Sequence, residues 1–293
     1  MPTLTLQPMN RWREETITAM ATADKLDPAD IPVVILAGGF GMRLHEETER
    51  VPKPMVQIGD KPIMWHIMRH YATYGFRRFT ICLGYKSWVI KEYFLNYFAE
   101  TNDLRVQLGR HSSVEYLGDS LVEDWEITLV ETGLHSGSTG RLQGVQRYID
   151  TPYFMYTYGD GVGTVDIDAV HRQHVEGDRL ATVTGVKPTS RYGMLLHDGD
   201  RVTAFDEKPE IAEGYVSGGF FALSSGIFDR LDGADPTGFM ELDVLPGLVS
   251  EGQVGIHRHH GFWHSMDTYR DYVALNDMWD AGDPPWKTWK DEG

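Results

Sequence analysis

Residues 33–59 read VVILAGGFGMRLHEETERVPKPMVQIG. The apolar run Val33–Leu36 passes straight into three glycines within four positions, Gly38, Gly39 and Gly41. Arg43 follows, and ten residues later Lys53 stands between Pro52 and Pro54. A short continuous apolar run bounded by glycine predicts a buried strand. Glycines directly after it, in the segment Leu36, Ala37, Gly38, Gly39, let backbone N–H groups approach and wrap an anion such as a phosphate chain. Arg43 can take phosphate oxygens bidentately, Lys53 adds a point charge, and its flanking prolines stiffen how that charge is presented. The pattern is neither a Walker loop, which ends in Gly-Lys-Ser/Thr, nor a strict dinucleotide fingerprint.

Working outward, the chain alternates. Lys61–Tyr74 places Ile63, Ile67 and Tyr71, with Met64 and Met68, at helical spacing, Phe79–Leu83 reads as a second buried strand, and Trp88–Phe98 as a second helix. Strand-helix-strand-helix at this spacing predicts an α/β fold with a Rossmann-like, mixed but mainly parallel sheet flanked by helices. Further strands are expected at 126–130, 154–158, 181–186, 202–206, 218–223 and 255–259. Residues 1–30 read as an N-terminal extension, ending in the turn-rich Asp27-Pro28-Ala29-Asp30, and 31–293 as one domain. The polar, poorly periodic stretch 100–132 reads as an excursion suited to ligand cover or oligomer contact.

Bulk properties narrow the function. A net charge of −16 over 293 residues opposes general nucleic-acid binding, because the phosphate backbone would be repelled. One cysteine, Cys82, excludes an internal disulfide framework and fits a reducing, cytoplasmic setting. No stretch approaches the roughly 20 apolar residues that span a bilayer.

Two aspartates suit a hard cation. Asp160, in Tyr158-Gly159-Asp160-Gly161, follows a strand at the position where open α/β sheets place ligands. Asp267 follows a second strand-like run. Magnesium takes one or two carboxylates together with phosphate oxygens and waters, so this pair would suffice. Equally, Asp160 can be a turn residue and Asp267 the N-cap of a helix over 268–279. His257, His259, His260 and His264 invite a zinc reading, but strand alternation splits the set and no cysteine is near. The small-residue loop HSGSTGRLQ (135–143) leads into a predicted helix. There free amides, Thr139 and Gly140 allow close approach, and Arg141 can donate to a ligand carbonyl.

The stretch from Leu36 to Pro54 resembles the L-A-G-G-x-G-x-R-L…K-P signature of sugar-1-phosphate nucleotidylyltransferases. GDKPIMWHIMRHY, GYKSWVIKEYFLNYF, TYGDGV, SGGFFAL, GFWHSMDTYRD and PPWKTW extend the likeness over about 31–290, closest to the glucose-1-phosphate cytidylyltransferase branch. The resemblance implies cytidylyl transfer from CTP to a sugar 1-phosphate by a single domain that assembles with copies of itself. It implies that Asp160 and Asp267 hold Mg2+, that Arg43 and Lys53 serve catalysis, and that the 135–143 loop reads the base, with Arg141 donating to cytosine O2. Arg141 alone cannot tell cytosine from uracil, so an acceptor facing the N4 amino group is expected, a backbone carbonyl near Leu36–Gly38 or in the loop. It also implies a sugar-phosphate site from Tyr192, Gly193, Glu207, Lys208 and Gly219. Met42 departs from the family, which has threonine there, so one phosphate-facing hydroxyl is lost while the amide remains. A sibling using another nucleotide or acceptor, and a regulatory binding protein without turnover, are the alternatives. Retention of Arg43, Lys53, Asp160 and Asp267 weighs against the second.

Overall fold

The computed structural model describes residues 26–39, 51–108, 113–117, 123–187, 194–198, 200–206 and 214–290. Seven strands form the central sheet: β1 (Pro32–Leu36), β2 (Arg78–Leu83), β3 (Glu126–Glu131), β4 (Tyr153–Tyr158), β5 (Ala181–Val186), β6 (Val216–Ser224) and β7 (Val254–His259). Their order is β7-β5-β6-β4-β1-β2-β3. Neighbours β4, β1, β2 and β3 run parallel, as do β5 and β7, and β6 runs antiparallel between β4 and β5. The expected mixed, mainly parallel sheet is therefore present. The direction of β6 had no signature in the sequence.

Helices α1 (Ile63–Thr73), α2 (Ser87–Thr101), α3 (Ser138–Val145), α4 (Ile167–Gly177), α5 (Ile227–Leu231), α6 (Leu245–Ser250) and α7 (Tyr269–Asp280) cover the sheet. Strand alternation divides β1 between two cores. Val33 and Ile35 pack with Ile63, Ile67 and Tyr71 of α1, whereas Val34 packs with Leu142 and Val145 of α3. Pro62 precedes the first turn of α1, and Gly75, with φ +93°, lets the chain leave its end. The expected helix over 61–74 is shorter at its start because Lys61 and Pro62 pair with Gln57 and Ile58 in a small ribbon.

Within the expected excursion, Asp103–Gln107 and Ser113–Leu117 form an antiparallel hairpin whose Leu104, Val106, Val114 and Tyr116 are exposed. At the other end of the chain, Trp286 and Trp289 are buried against α1. His66 accepts from the Trp286 indole at 3.4 Å through Nδ1 and donates to the Ile58 carbonyl at 3.0 Å through Nε2. No helix among the described residues is long and apolar enough to cross a membrane.

Candidate active site

The carboxyl ends of β1, β2, β3 and β4 share one edge of the sheet, and the chain leaves that edge at Ala37, Gly84, Thr132 and Gly159. Ligands collect at such an edge because parallel strands deliver their loops to the same side. Two cavities lie there. One, of about 780 Å³, runs between Leu36, Ala37 and Gly39, the Leu134–Ser138 loop, and Phe239 and Glu241. The other, of about 290 Å³, is bordered by Ser217–Phe220, Trp263, Ser265 and Asp267. Tyr158 and Asp160 line both, so a molecule in one cavity meets a molecule in the other beside these residues.

At that junction the structure brings together three residues that lie far apart in sequence. Lys53 Nζ donates to Asp160 Oδ2 at 2.7 Å and to Asp267 Oδ1 at 2.8 Å. Burial opposes the lysine charge, but the two carboxylates outweigh it and hold its pKa above the ordinary lysine value. Lys53 opens a 3₁₀ turn (Lys53–Met55) whose Pro54 and Met55 are buried, which anchors the base of the side chain. Asp160 and Asp267 are joined by a two-stranded ribbon, Gly161–Gly163 with Trp263–Ser265, and by a bond from the Met266 amide to the Asp160 carbonyl at 2.8 Å. Ser265 Oγ donates to Asp267 Oδ2 at 2.9 Å and fixes that carboxylate. Asp267 is not a helix cap. Thr268 caps α7 in a reciprocal capping box with Asp271, which removes the structural alternative for Asp267. Asp160 does lie in a turn, with its carboxylate turned to the junction.

The convergence of two carboxylates on one ammonium also tests whether a divalent cation suits this place. Both oxygens already face a common point occupied by positive charge, and they are the hard donors that magnesium prefers. The donor set fits.

Arg141 points inward from α3. Its guanidinium donates to the carbonyls of Leu83 (3.1 Å), Gly133 (3.3 Å) and Gly38 (2.9 Å) and to Thr132 Oγ1 (2.9 Å). All four acceptors are neutral, so a buried positive charge sits beneath the glycine loop, and burial lowers its pKa. Glycine at 38 lets Arg141 keep this seat, since a Cβ would stand 1.9 Å from its guanidinium. Cys82 Sγ lies 3.7 Å from the Arg141 carbonyl, and burial pushes its pKa up to about 12, leaving an inert thiol. Thr139 and Gly140 are buried at the start of α3, with Gly140 packed against the Pro236 carbonyl. Gly219, at φ +79°, lets β6 pass beneath the Tyr158 ring, which a Cβ would meet at 2.8 Å.

Gly41, Met42, Arg43, Tyr192, Gly193, Glu207 and Lys208 lie outside the described residues. The histidines are dispersed. His257 pairs with Gln173, His259 with the Phe262 carbonyl, and His264 lies 3.5 Å from Asp271. Among the described residues no group of three or more His, Cys, Asp or Glu is placed to hold a metal ion. Sequence reasoning missed Glu241, Phe239, Ser265 and Trp263. Trp263 and Ser265 stand within the GFWHSMD motif and were within reach of it. Glu241 and Phe239 carry no local signal.

Comparison with known proteins gives the family. A model of the nucleotidyl transferase family matches residues 32–291. Glucose-1-phosphate cytidylyltransferases from Salmonella typhi and from Salmonella typhimurium are each 43% identical, over 88% of this chain and 99% of theirs. Among solved structures, HddC from Yersinia pseudotuberculosis superposes with a TM-score of 0.59 at 24% identity, covering 85% of this chain and 99% of its own, a likeness of fold.

Proposed function

Because the chain belongs to the nucleotidyl transferase family, we propose that it transfers a cytidylyl group from CTP to α-D-glucose 1-phosphate, giving CDP-glucose and pyrophosphate. The observation that carries this reading is the Lys53–Asp160–Asp267 junction between two cavities of unequal size. The larger suits a nucleotide, and the smaller suits a sugar phosphate.

A phosphate oxygen of the sugar 1-phosphate attacks the α-phosphorus of CTP in line. The bond from that phosphorus to the bridging oxygen breaks, and pyrophosphate departs with the electron pair. The nucleophile is already an anion, so no side chain needs to take a proton. The protein's work is alignment and charge neutralisation. Lys53 carries its positive charge to the α-phosphate. The backbone at Gly38 and Gly39, together with Arg43, stabilises the leaving pyrophosphate, and Arg141 braces the glycine loop and the base-side loop through the Gly38 and Gly133 carbonyls. Asp160 and Asp267 would hold magnesium, which when bound supplies further positive charge to the reacting phosphates. Gly219 and Tyr158 border the acceptor, with Tyr192, Gly193, Glu207 and Lys208 assigned to its sugar and phosphate by family resemblance.

The exposed apolar hairpin side chains at Leu104, Val106, Val114 and Tyr116 support assembly into a homo-oligomer. The free, buried Cys82 supports a cytoplasmic setting. The deciding experiment offers the purified protein CTP, UTP, dTTP, ATP and GTP against a panel of sugar 1-phosphates with magnesium, reading pyrophosphate release. CTP with glucose 1-phosphate is expected to be the most efficient pair. A different preferred base or acceptor overturns the assignment at that point, and no release with any pair overturns turnover itself.

A further inference from the structure

The nucleotide cavity lacks an obvious reader for the one edge that separates cytosine from uracil. Cytosine presents an N4 amino donor where uracil presents an O4 acceptor. A backbone carbonyl near the glycine loop is the natural candidate, but the Gly38 carbonyl is taken. It accepts from Arg141 Nη2 at 2.9 Å and from the Tyr85 amide at 3.1 Å, which uses both its lone pairs. The Gly133 carbonyl in the loop accepts from Arg141 at 3.3 Å, which takes one of its two lone pairs.

A side-chain acceptor with capacity to spare lines this cavity. Glu241 accepts from Tyr158 Oη at 2.6 Å through Oε1 and from Ser138 Oγ at 2.6 Å through Oε2. Ser138 in turn accepts from the Met240 amide at 2.8 Å, so the carboxylate is tied to the first residue of α3 and to the last residue of β4. Two of its roughly four lone-pair positions are used, and the rest remain for a ligand. Burial, and then the neighbouring Glu241, push the Tyr158 pKa up, so the phenol stays a donor and fixes the orientation. Glu241 stands in a single π-helical turn, Met240–Val244, an irregularity that recurs at functional sites.

Position along the cavity follows from charge. The cavity has two lining carboxylates, Asp160 and Glu241. Asp160 is paired with Lys53 at the reacting end. Glu241 has no cationic partner among the described residues, and its charge repels a polyphosphate. The phosphates therefore lie toward Lys53, and the uncharged part of the nucleotide lies toward Glu241. We infer that Glu241, held by Tyr158 and Ser138, is the specificity-determining acceptor that takes the N4 amino group of cytosine and rejects uracil at O4. The inference rests on the CTP reading proposed above.

The test is Glu241→Gln, with kcat/KM measured for CTP and UTP and with both affinities titrated calorimetrically in the presence of magnesium without acceptor. Glutamine keeps the shape and can turn either its carbonyl or its amide to the base. The CTP-over-UTP preference is expected to fall by about 10-fold or more, with UTP gaining while CTP loses. Ser138→Ala, which frees one carboxylate oxygen from its tether, is expected to erode the preference in the same direction by less. Parallel losses for both nucleotides, with the ratio unchanged in a variant that melts like wild type, would place Glu241 on the ribose or in a structural role and overturn the inference. If the wild-type protein itself prefers a purine or uracil nucleotide, the CTP reading fails in that arm, before any variant is compared.

Discussion

Replacing Lys53 by Met removes the one ammonium that two carboxylates share, while keeping a side chain of similar length. The Asp160 and Asp267 oxygens each lie within 2.8 Å of Lys53 Nζ, so without it two like charges face each other across the space of a single cation. At an effective dielectric of about 20, that repulsion is on the order of 3 kcal/mol. Each carboxylate side chain keeps 30% of its exposure, so water takes back part of it, leaving a net loss of about 2 kcal/mol. For a chain of this size that lowers the melting temperature by roughly 3 °C. Magnesium should reverse the loss. In the wild type a divalent cation has to displace the ammonium, whereas in Lys53→Met the carboxylates stand ready for it. Thermal denaturation with and without millimolar magnesium should therefore show a larger upward shift for the variant than for the wild type. Turnover should nevertheless fall by about 100-fold or more, because the positive charge offered to the α-phosphate is gone. Equal melting of the two proteins, together with equal magnesium shifts, would refute the coupling of Lys53 to both aspartates.

Three further outcomes are expected. Asp160→Asn and Asp267→Asn should each remove most pyrophosphate release while leaving the circular dichroism unchanged, and activity within a few-fold of wild type in both would remove them from the reaction. Gly38→Ala should weaken CTP binding by at least about 10-fold, since its Cβ drives Arg141 from its seat, and calorimetry with an unchanged affinity would contradict that seat. Stability should fall on acidification. His66, His70 and His174 are buried with pKa values lowered to about 4, mainly by desolvation, whereas in the unfolded chain they titrate near 6.5. Their stabilising effect is complete above pH 6.5 and is lost as pH falls toward 4, because the unfolded state then binds the extra protons. From pH 7 to 5.5 the three together cost about 4 kcal/mol, measurable as a lower urea midpoint, and a midpoint constant over that range would refute their neutral burial.

The sequence by itself determined the strand-and-helix alternation, the glycine loop and the family. These depend on local signals: apolar runs, helical spacing of Ile63, Ile67 and Tyr71, and glycines where a chain must turn. The strands at 181–186 and 254–259 were legible for the same reason, whereas the antiparallel course of β6 was not, because strand direction is set by which neighbours pair and not by the strand's own residues. Asp267 shows the limit well. Its local context allowed both a helix cap and a ligand, and only the ribbon joining Trp263–Ser265 to Gly161–Gly163 brought it to Asp160 and Lys53. Arg141 was legible as a donor, but its commitment to the Gly38, Leu83 and Gly133 carbonyls appears only once β1, β2 and α3 are packed. Glu241 had no signal at all. A carboxylate in an irregular turn becomes an acceptor lining a nucleotide cavity only when folding sets it against Tyr158 and Ser138, and contacts between residues so distant in sequence leave no period for the sequence to display.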